Sequence, residues 1–73
     1  MYTTLDEVWS GSLQPFRCSV FLGGTVVWDD RGRASVEGGR WIGRTGGCSS
    51  PGRAREASHN VIAKFERKQK EAP

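Results

Sequence analysis

Side chains that commonly carry out catalysis or bind metals are scarce in this 73-residue sequence. It contains one histidine, His59, which we expect on the outer, solvated face of a helix. The two cysteines, Cys18 and Cys48, lie far apart, so a zinc site within the chain would need carboxylate ligands. A catalytic nucleophile also needs a base within reach, and no such pair is evident. The sequence therefore predicts a non-enzymatic protein with no cofactor, no metal and no small-molecule substrate.

Long apolar stretches are also missing. No run of 18 apolar residues could span a membrane, and the first residues lack the basic and apolar regions of a secretory signal. A cytoplasmic location is therefore expected. We expect two reduced thiols, with Cys18 in the core and Cys48 in a loop, and a disulfide between them is the alternative.

Glycine is abundant, and two Gly-Gly pairs organise the middle of the chain. Gly23 and Gly24 separate strand-like residues 16–22 from 25–28, and Gly38 and Gly39 separate 33–37 from 40–44. Gly-Gly suits a two-residue hairpin because both residues tolerate positive φ. The pattern predicts two tight hairpins, the first pairing residue 22 with 25 and the second pairing residue 36 with Trp41, which places Trp41 in the core. The composition of residues 29–32 predicts a turn.

Helices are predicted at both ends of the sequence. Thr4 and Glu7 match a capping box for a short N-terminal helix. Ser50 is a good N-cap and Pro51 suits the first helical position of a long helix over residues 51–68. Its apolar stripe predicts packing on the sheet, and the stripe consists of Ala54, Ala57, Ser58, Val61 and Phe65. The expected fold is one α+β domain over residues 1–73, with a short N-terminal helix, an antiparallel sheet of three to four strands and a long C-terminal helix.

Charge is distributed unevenly along the chain. Residues 1–30 carry one basic and four acidic side chains, whereas residues 31–73 carry ten basic and four acidic ones, a net charge of +6. This asymmetry indicates a basic face for an anionic partner, and an ordinary solvated helix explains it equally well. We expect a partly exposed aromatic side chain to contribute to binding. The candidate partner-binding residues are Arg40, Arg44, Arg53, Arg55 and Trp28.

The predicted order of helix, antiparallel sheet and capped helix is similar to the double-stranded RNA-binding domain. Ser50, Arg53 and Arg55 match the basic first turn of that family's last helix, which grips phosphates. The chain departs from the family where Gly23 and Gly24 replace a long loop, and where Gly52 and Arg53 replace a Lys-Lys pair. The resemblance covers about residues 36–65 and implies a small basic nucleic-acid-binding module.

Residues 43–54 resemble small anti-CRISPR proteins of bacteriophages. Gly43 and Arg44 match the end of a strand. The Ser-x-Pro-Gly start of an alanine-rich helix is matched by Ser49, Ser50, Pro51 and Gly52, followed by Ala54. The match covers about a dozen residues, largely of turn and capping types. The resemblance implies non-enzymatic docking onto a bacterial CRISPR-Cas surveillance complex or its nuclease, and no inhibitory residue carries over.

Of these functions, the sequence favours the phage-type inhibitor. A short chain that begins with methionine and lacks an enzyme site suits such an inhibitor better than an isolated double-stranded RNA-binding domain. The expected partner is a bacterial CRISPR-Cas protein complex in the cytoplasm of the host cell. Nucleic acid is the alternative partner, and no membrane is involved.

Overall fold

The computed structural model describes residues 1–7 and 16–71, which form five β-strands and one α-helix. The elements are β1 (Tyr2–Asp6), β2 (Cys18–Leu22), β3 (Thr25–Trp28), β4 (Ala34–Glu37), β5 (Arg40–Arg44) and α1 (Pro51–Glu71). The α+β class and the long C-terminal helix are confirmed, whereas the strands number five, in two sheets, and not three or four. No helix in the described ranges is long and apolar enough to cross a membrane.

The start of the chain is a strand, so the predicted N-terminal helix is wrong. β1 pairs antiparallel with β2 and places Thr4 opposite Val20. Threonine is favoured in strands, and the pairing supplies β2 with a neighbour on its outer side. Thr4 and Glu7 therefore do not form a capping box. The remainder of the predicted helix, at Val8 and Trp9, lies outside the described residues.

The four strands β2 to β5 form one long antiparallel ribbon. In its inner half, β2 pairs with β5 and Leu22 lies opposite Arg40. In its outer half, β3 pairs with β4 and Thr25 lies opposite Glu37. Two residues intervene on each side, so the register continues unbroken from one half to the other. Neither glycine pair closes a hairpin, and both predicted Gly-Gly hairpins are wrong.

The two glycine pairs face each other at the junction between these halves. Gly23, Gly24 and Gly38 have φ angles of 74°, 94° and 77°. A Cβ added to Gly24 would lie 2.9 Å from the Cα of Gly39, and one added to Gly39 would lie 2.7 Å from the carbonyl oxygen of Gly23. The junction therefore leaves no room for a side chain at Gly24 or Gly39, whereas a Cβ at Gly23 or Gly38 would meet nothing within 4 Å. Here the ribbon divides into a three-stranded sheet of order β1-β2-β5 and a two-stranded sheet of β3 and β4.

Asp29 builds the turn that closes the ribbon. Its Oδ1 accepts hydrogen bonds from the backbone N–H groups of Arg31 at 2.9 Å and Arg33 at 2.8 Å. Gly32, with φ 79°, donates its N–H to the carbonyl of Asp29 at 3.2 Å. The predicted turn at residues 29–32 is confirmed. It is this turn, and not a glycine pair, that reverses the chain.

The start of α1 follows the predicted capping pattern. Pro51 is the first helical residue. The Ser50 Oγ accepts a hydrogen bond from the Arg53 N–H at 3.2 Å, which satisfies a donor that the first turn would otherwise leave open. The Ser50 carbonyl accepts from the Ala54 N–H at 3.1 Å. The helix therefore begins where the sequence predicts and extends three residues past the predicted end at 68, to Glu71.

Small side chains let α1 lie close to the three-stranded sheet. Ala54 and Ser58 are the buried residues of the helix. A Cβ added to Gly43 of β5 would lie 2.9 Å from Cγ1 of Val61, so the absence of a side chain at that position permits the contact. The prediction that the helix packs its small-residue stripe on the sheet is confirmed.

The core beneath the helix centres on β2. Val20 and Cys18 are fully buried, and burial raises the pKa of the Cys18 thiol, with a further rise from the Asp6 carboxylate. The connector after β5 is tied to the same strand, because Thr45 Oγ1 accepts a hydrogen bond from the Cys18 N–H at 3.0 Å. Cys48 is half-buried, and both thiols are free, as predicted.

Candidate functional site

A groove runs along the side of α1 that faces β5 and the connector after it. Its first part, of about 380 Å³, lies between β5 and the second half of the helix. Its second part, of about 460 Å³, lies between the connector and the first half of the helix. Asn60 lines both parts, so the two depressions adjoin at this residue.

The first part of the groove has an apolar floor. Ile42, Val61 and Phe65 line it, and each of these side chains is half-buried. The ring of Phe65 is held in place by an edge-to-face contact with Tyr2, with ring centroids 6.4 Å apart and planes at 86°. The floor is therefore a fixed apolar surface that remains partly open to solvent.

A β-bulge in β5 supplies one residue of this floor. Val20 pairs with Gly43, whereas Phe21 pairs with Trp41, so the register shifts by one residue between them. Ile42 is the extra residue on β5. Bulges of this kind redirect a side chain away from the regular alternation of the strand. The bulge therefore explains how a residue of an edge strand comes to line the groove beside the helix.

Four cationic side chains line the groove, and all four are exposed. They are Arg44 from β5 and Arg53, Lys64 and Lys68 from α1. Asn60, Lys64 and Lys68 follow one another at intervals of four residues, which places them on one flank of the helix. Glu56 is the acidic residue among the described lining residues of the second part. We call the two parts, with these four cations, the basic groove.

Two arginines are paired with Asp6, the last residue of β1, and with Glu7, which follows it. Arg44 Nη1 lies 3.2 Å from Glu7 Oε1, and Arg55 Nη2 lies 2.9 Å from Asp6 Oδ2. The Asp6 carboxylate accepts a hydrogen bond from Arg55 and raises the pKa of its guanidinium. Among the described residues, the groove cations that form no ion pair are Arg53, Lys64 and Lys68. The acids of the first half of the chain thus offset two arginines and leave one flank of α1 positive.

The opposite flank of α1 has a mixed charge. Arg55 lies there with its partner Asp6, and Glu66 lies near Tyr2. Burial raises the pKa of the Tyr2 hydroxyl, and the Glu66 carboxylate raises it further. Positive charge is therefore concentrated on the side of the helix that faces β5, where the groove is.

The structure brings together only part of the predicted binding set. Arg44 and Arg53 both line the basic groove. Arg55 lies on the other flank of the helix, and Arg40 lies at the start of β5, exposed and opposite Leu22. The four candidate arginines therefore do not all lie on one surface.

Lys64 and Lys68 are site residues that the sequence reasoning missed. Neither residue is among the candidate partner-binding residues that the sequence indicated. The available signal was the four-residue spacing of Asn60, Lys64 and Lys68 beside the apolar residues Val61 and Phe65. That spacing indicates a basic flank along the edge of the packed stripe.

Two tryptophans are exposed on the ribbon. Trp28, at the end of β3 opposite Ala34, and Trp41, opposite Phe21, are each 56% exposed. The prediction that Trp41 is a core residue is wrong, because it assumed that β5 pairs with β4. The expectation of a partly exposed aromatic side chain at Trp28 agrees with its position.

No group of three or more His, Cys, Asp or Glu side chains within residues 1–7 and 16–71 could hold a metal ion. Comparisons of the chain with protein-family models, with curated proteins and with solved structures found no match. The basic groove and the exposed side chains of the ribbon are therefore the features of the molecule that bear on its function.

Proposed function

We propose that the protein is a small non-enzymatic module that binds nucleic acid in the basic groove. The observation that supports this function is a groove of two adjoining parts lined by four exposed cations, three of which form no ion pair among the described residues. Neutralisation of phosphates by Lys and Arg supplies most of the affinity of non-specific nucleic-acid binding. An unpaired cation has no internal salt bridge to lose when it contacts a phosphate.

The helix itself strengthens the positive potential at one end of the groove. The first turn of α1 contains no acidic residue, so the positive end of its dipole is not compensated there by a carboxylate. Arg53 lies in that turn and lines the second part of the groove. A rise of 1.5 Å per residue puts Arg53 and Lys68 about 22 Å apart along the helix axis. The cations therefore form a row and not a point, which suits a chain of phosphates.

The proposal predicts a steep dependence of affinity on salt. Phosphate contacts from the three unpaired cations give a slope of log K against log salt of about −2.1 for a single strand and about −2.7 for a duplex. Between 50 and 200 mM salt, affinity should therefore fall by roughly 20- to 40-fold. The measurement is a titration of a fluorescently labelled 20-nucleotide DNA, both single-stranded and double-stranded, at several salt concentrations.

A thermal melt at each salt concentration serves as the control, because it shows whether the protein stays folded throughout. Binding that does not change with salt would mean that phosphate contacts do not supply the affinity. An absence of binding at 50 mM salt to either form of DNA would rule out the proposed function.

A second candidate function is a docking inhibitor of the anti-CRISPR kind, which the two exposed tryptophans favour. Trp28 and Trp41 are each 56% exposed, on the outer and inner halves of the ribbon. Tryptophan is among the residues that most often dominate the energy of protein interfaces. In this proposal the ribbon, and not the groove, contacts a bacterial CRISPR-Cas complex.

Inhibition of DNA binding by purified CRISPR-Cas surveillance complexes tests this second candidate. Trp28→Ala or Trp41→Ala should weaken inhibition about 30-fold, as expected for a loss of about 2 kcal/mol at a dominant contact. Leu22→Ala is the matched control, because Leu22 is an exposed apolar residue of the same ribbon at 37% exposure. If the wild-type protein inhibits none of the complexes, this candidate is wrong for them.

A further inference from the structure

The basic groove combines two surfaces that a purely electrostatic site would not need together. The cations Arg44, Lys64 and Lys68 are exposed, whereas the floor between β5 and α1 is formed by half-buried apolar side chains. A duplex keeps its base faces stacked inside and offers phosphates to a protein surface. A duplex therefore offers no exposed base face that could contact the apolar floor beneath the row of cations.

We infer that the occupant of the groove is a single strand of nucleic acid, with a base against Ile42, Val61 and Phe65 and phosphates against Lys64 and Lys68. This inference rests on the proposed function and names the substrate class of the same site. Proteins that bind single strands combine a positive groove that follows the backbone with aromatic side chains on which the bases stack. Phe65 is the aromatic side chain in the lining of this groove. Both parts of that combination lie within one groove of this protein.

The size of the groove agrees with this occupant. The first part is a depression open to solvent with a volume of about 380 Å³, and binding sites for small organic groups have volumes of roughly 300 to 1,000 Å³. The row of cations extends about 22 Å along the helix. That length suits a site of about four nucleotides, at the lower end of the range for single-strand binding proteins.

The arginine pairing argues against a duplex site at the start of the helix. A protein that contacts both strands across a groove of the duplex would use Arg53 and Arg55 together. Arg55 is held by Asp6 at 2.9 Å on the other flank of α1, so the two guanidinium groups do not share a surface. The cations that remain available follow one line, which matches one phosphate backbone.

Three labelled DNA probes test the inference on the wild-type protein at 50 mM salt. The first is a mixed-sequence single-stranded octamer, the second is an abasic octamer of the same charge, and the third is the blunt duplex of the first. We expect the single strand to bind about tenfold more tightly than the abasic strand, because base contacts to the floor are lost in the latter. We also expect it to bind more tightly than the duplex.

A pair of variants places the base contact. Ile42→Gln should weaken binding of the single strand about fivefold and leave binding of the abasic strand unchanged. Ile62→Gln is the matched control, because Ile62 is also half-buried and does not line the groove. Thermal melts of both variants verify that they fold.

The outcomes separate the inference from the proposed function. Equal affinity for the single strand and the abasic strand, or tighter binding of the duplex, would overturn the inference and leave salt-dependent nucleic-acid binding intact. An absence of binding to all three probes would overturn both.

Discussion

Replacing Gly24 with alanine is expected to lower the free energy of unfolding by about 3 kcal/mol. Gly24 has a φ of 94°, which an alanine adopts only with strain. Its new Cβ would also lie 2.9 Å from the Gly39 backbone and 2.7 Å from Cγ1 of Val36. The valine side chain can move, but the glycine backbone on the facing strand cannot without opening the ribbon. A thermal melt should show a drop of roughly 12 to 24 °C for a domain of this size.

Gly32→Ala is the matched control for this substitution. Gly32 has a similar positive φ of 79°, but a Cβ there meets nothing within 4 Å. The Gly32→Ala variant therefore has the backbone strain without the clash, and its free energy of unfolding should fall by only about 1 kcal/mol. Equal losses of unfolding free energy in the two variants would show that the facing Gly39 backbone does not restrict the size of residue 24.

Charge reversal at Lys64 and Lys68 is expected to reduce nucleic-acid binding at least about 100-fold. Each cation contributes a charge-assisted contact of about 1.5 kcal/mol, and glutamate replaces that contact with repulsion of the phosphate. Both residues are exposed on α1, so the variant should remain folded. The measurement is the dissociation constant of the Lys64→Glu/Lys68→Glu variant for the single-stranded octamer at 50 mM salt.

The control for charge reversal is Arg67→Glu/Lys70→Glu. It changes the net charge by the same amount, at exposed positions of the same helical end that do not line the groove. Each double variant also replaces one cation of the last turn of α1, Lys68 or Lys70, so the loss of a favourable dipole interaction is matched. A similar loss of binding in both variants would mean that net charge, and not the groove, determines affinity.

Local sequence patterns predicted where the middle strands and the long helix lie better than they predicted which strands pair. The glycine pairs correctly separate β2 from β3 and β4 from β5, and the Ser50 cap correctly starts α1. What the pattern did not determine is which strands pair. Positive φ at Gly23 and Gly24 is compatible with a tight turn. It is equally compatible with the junction between the two halves of the ribbon, where the two glycine pairs face each other. The difference depends on contacts between distant residues, such as Leu22 with Arg40.

The candidate site was predicted in part, for a similar reason. Arg53 and Arg55 are neighbours in sequence, but two residues on a helix differ by about 200° in direction. They therefore occupy different flanks of α1, and only the position of Asp6 on β1 determines which one is neutralised. Arg44 and Lys64 are far apart in sequence and meet only because the helix packs on the sheet. A local pattern contains no information about that packing.

The register that continues across the junction of the ribbon has a consequence for how the chain acquires its fold. From the turn at Asp29, each further pair out to Phe21 and Trp41 is one residue farther along both strands, and the bulge at Ile42 adds one residue on β5 beyond them. Once the turn has formed, each new pair closes only a small additional loop, so the entropy lost at each step is small. We expect the ribbon to form outward from this turn by zippering. The strand β1 and the helix would then dock on a surface that already exists.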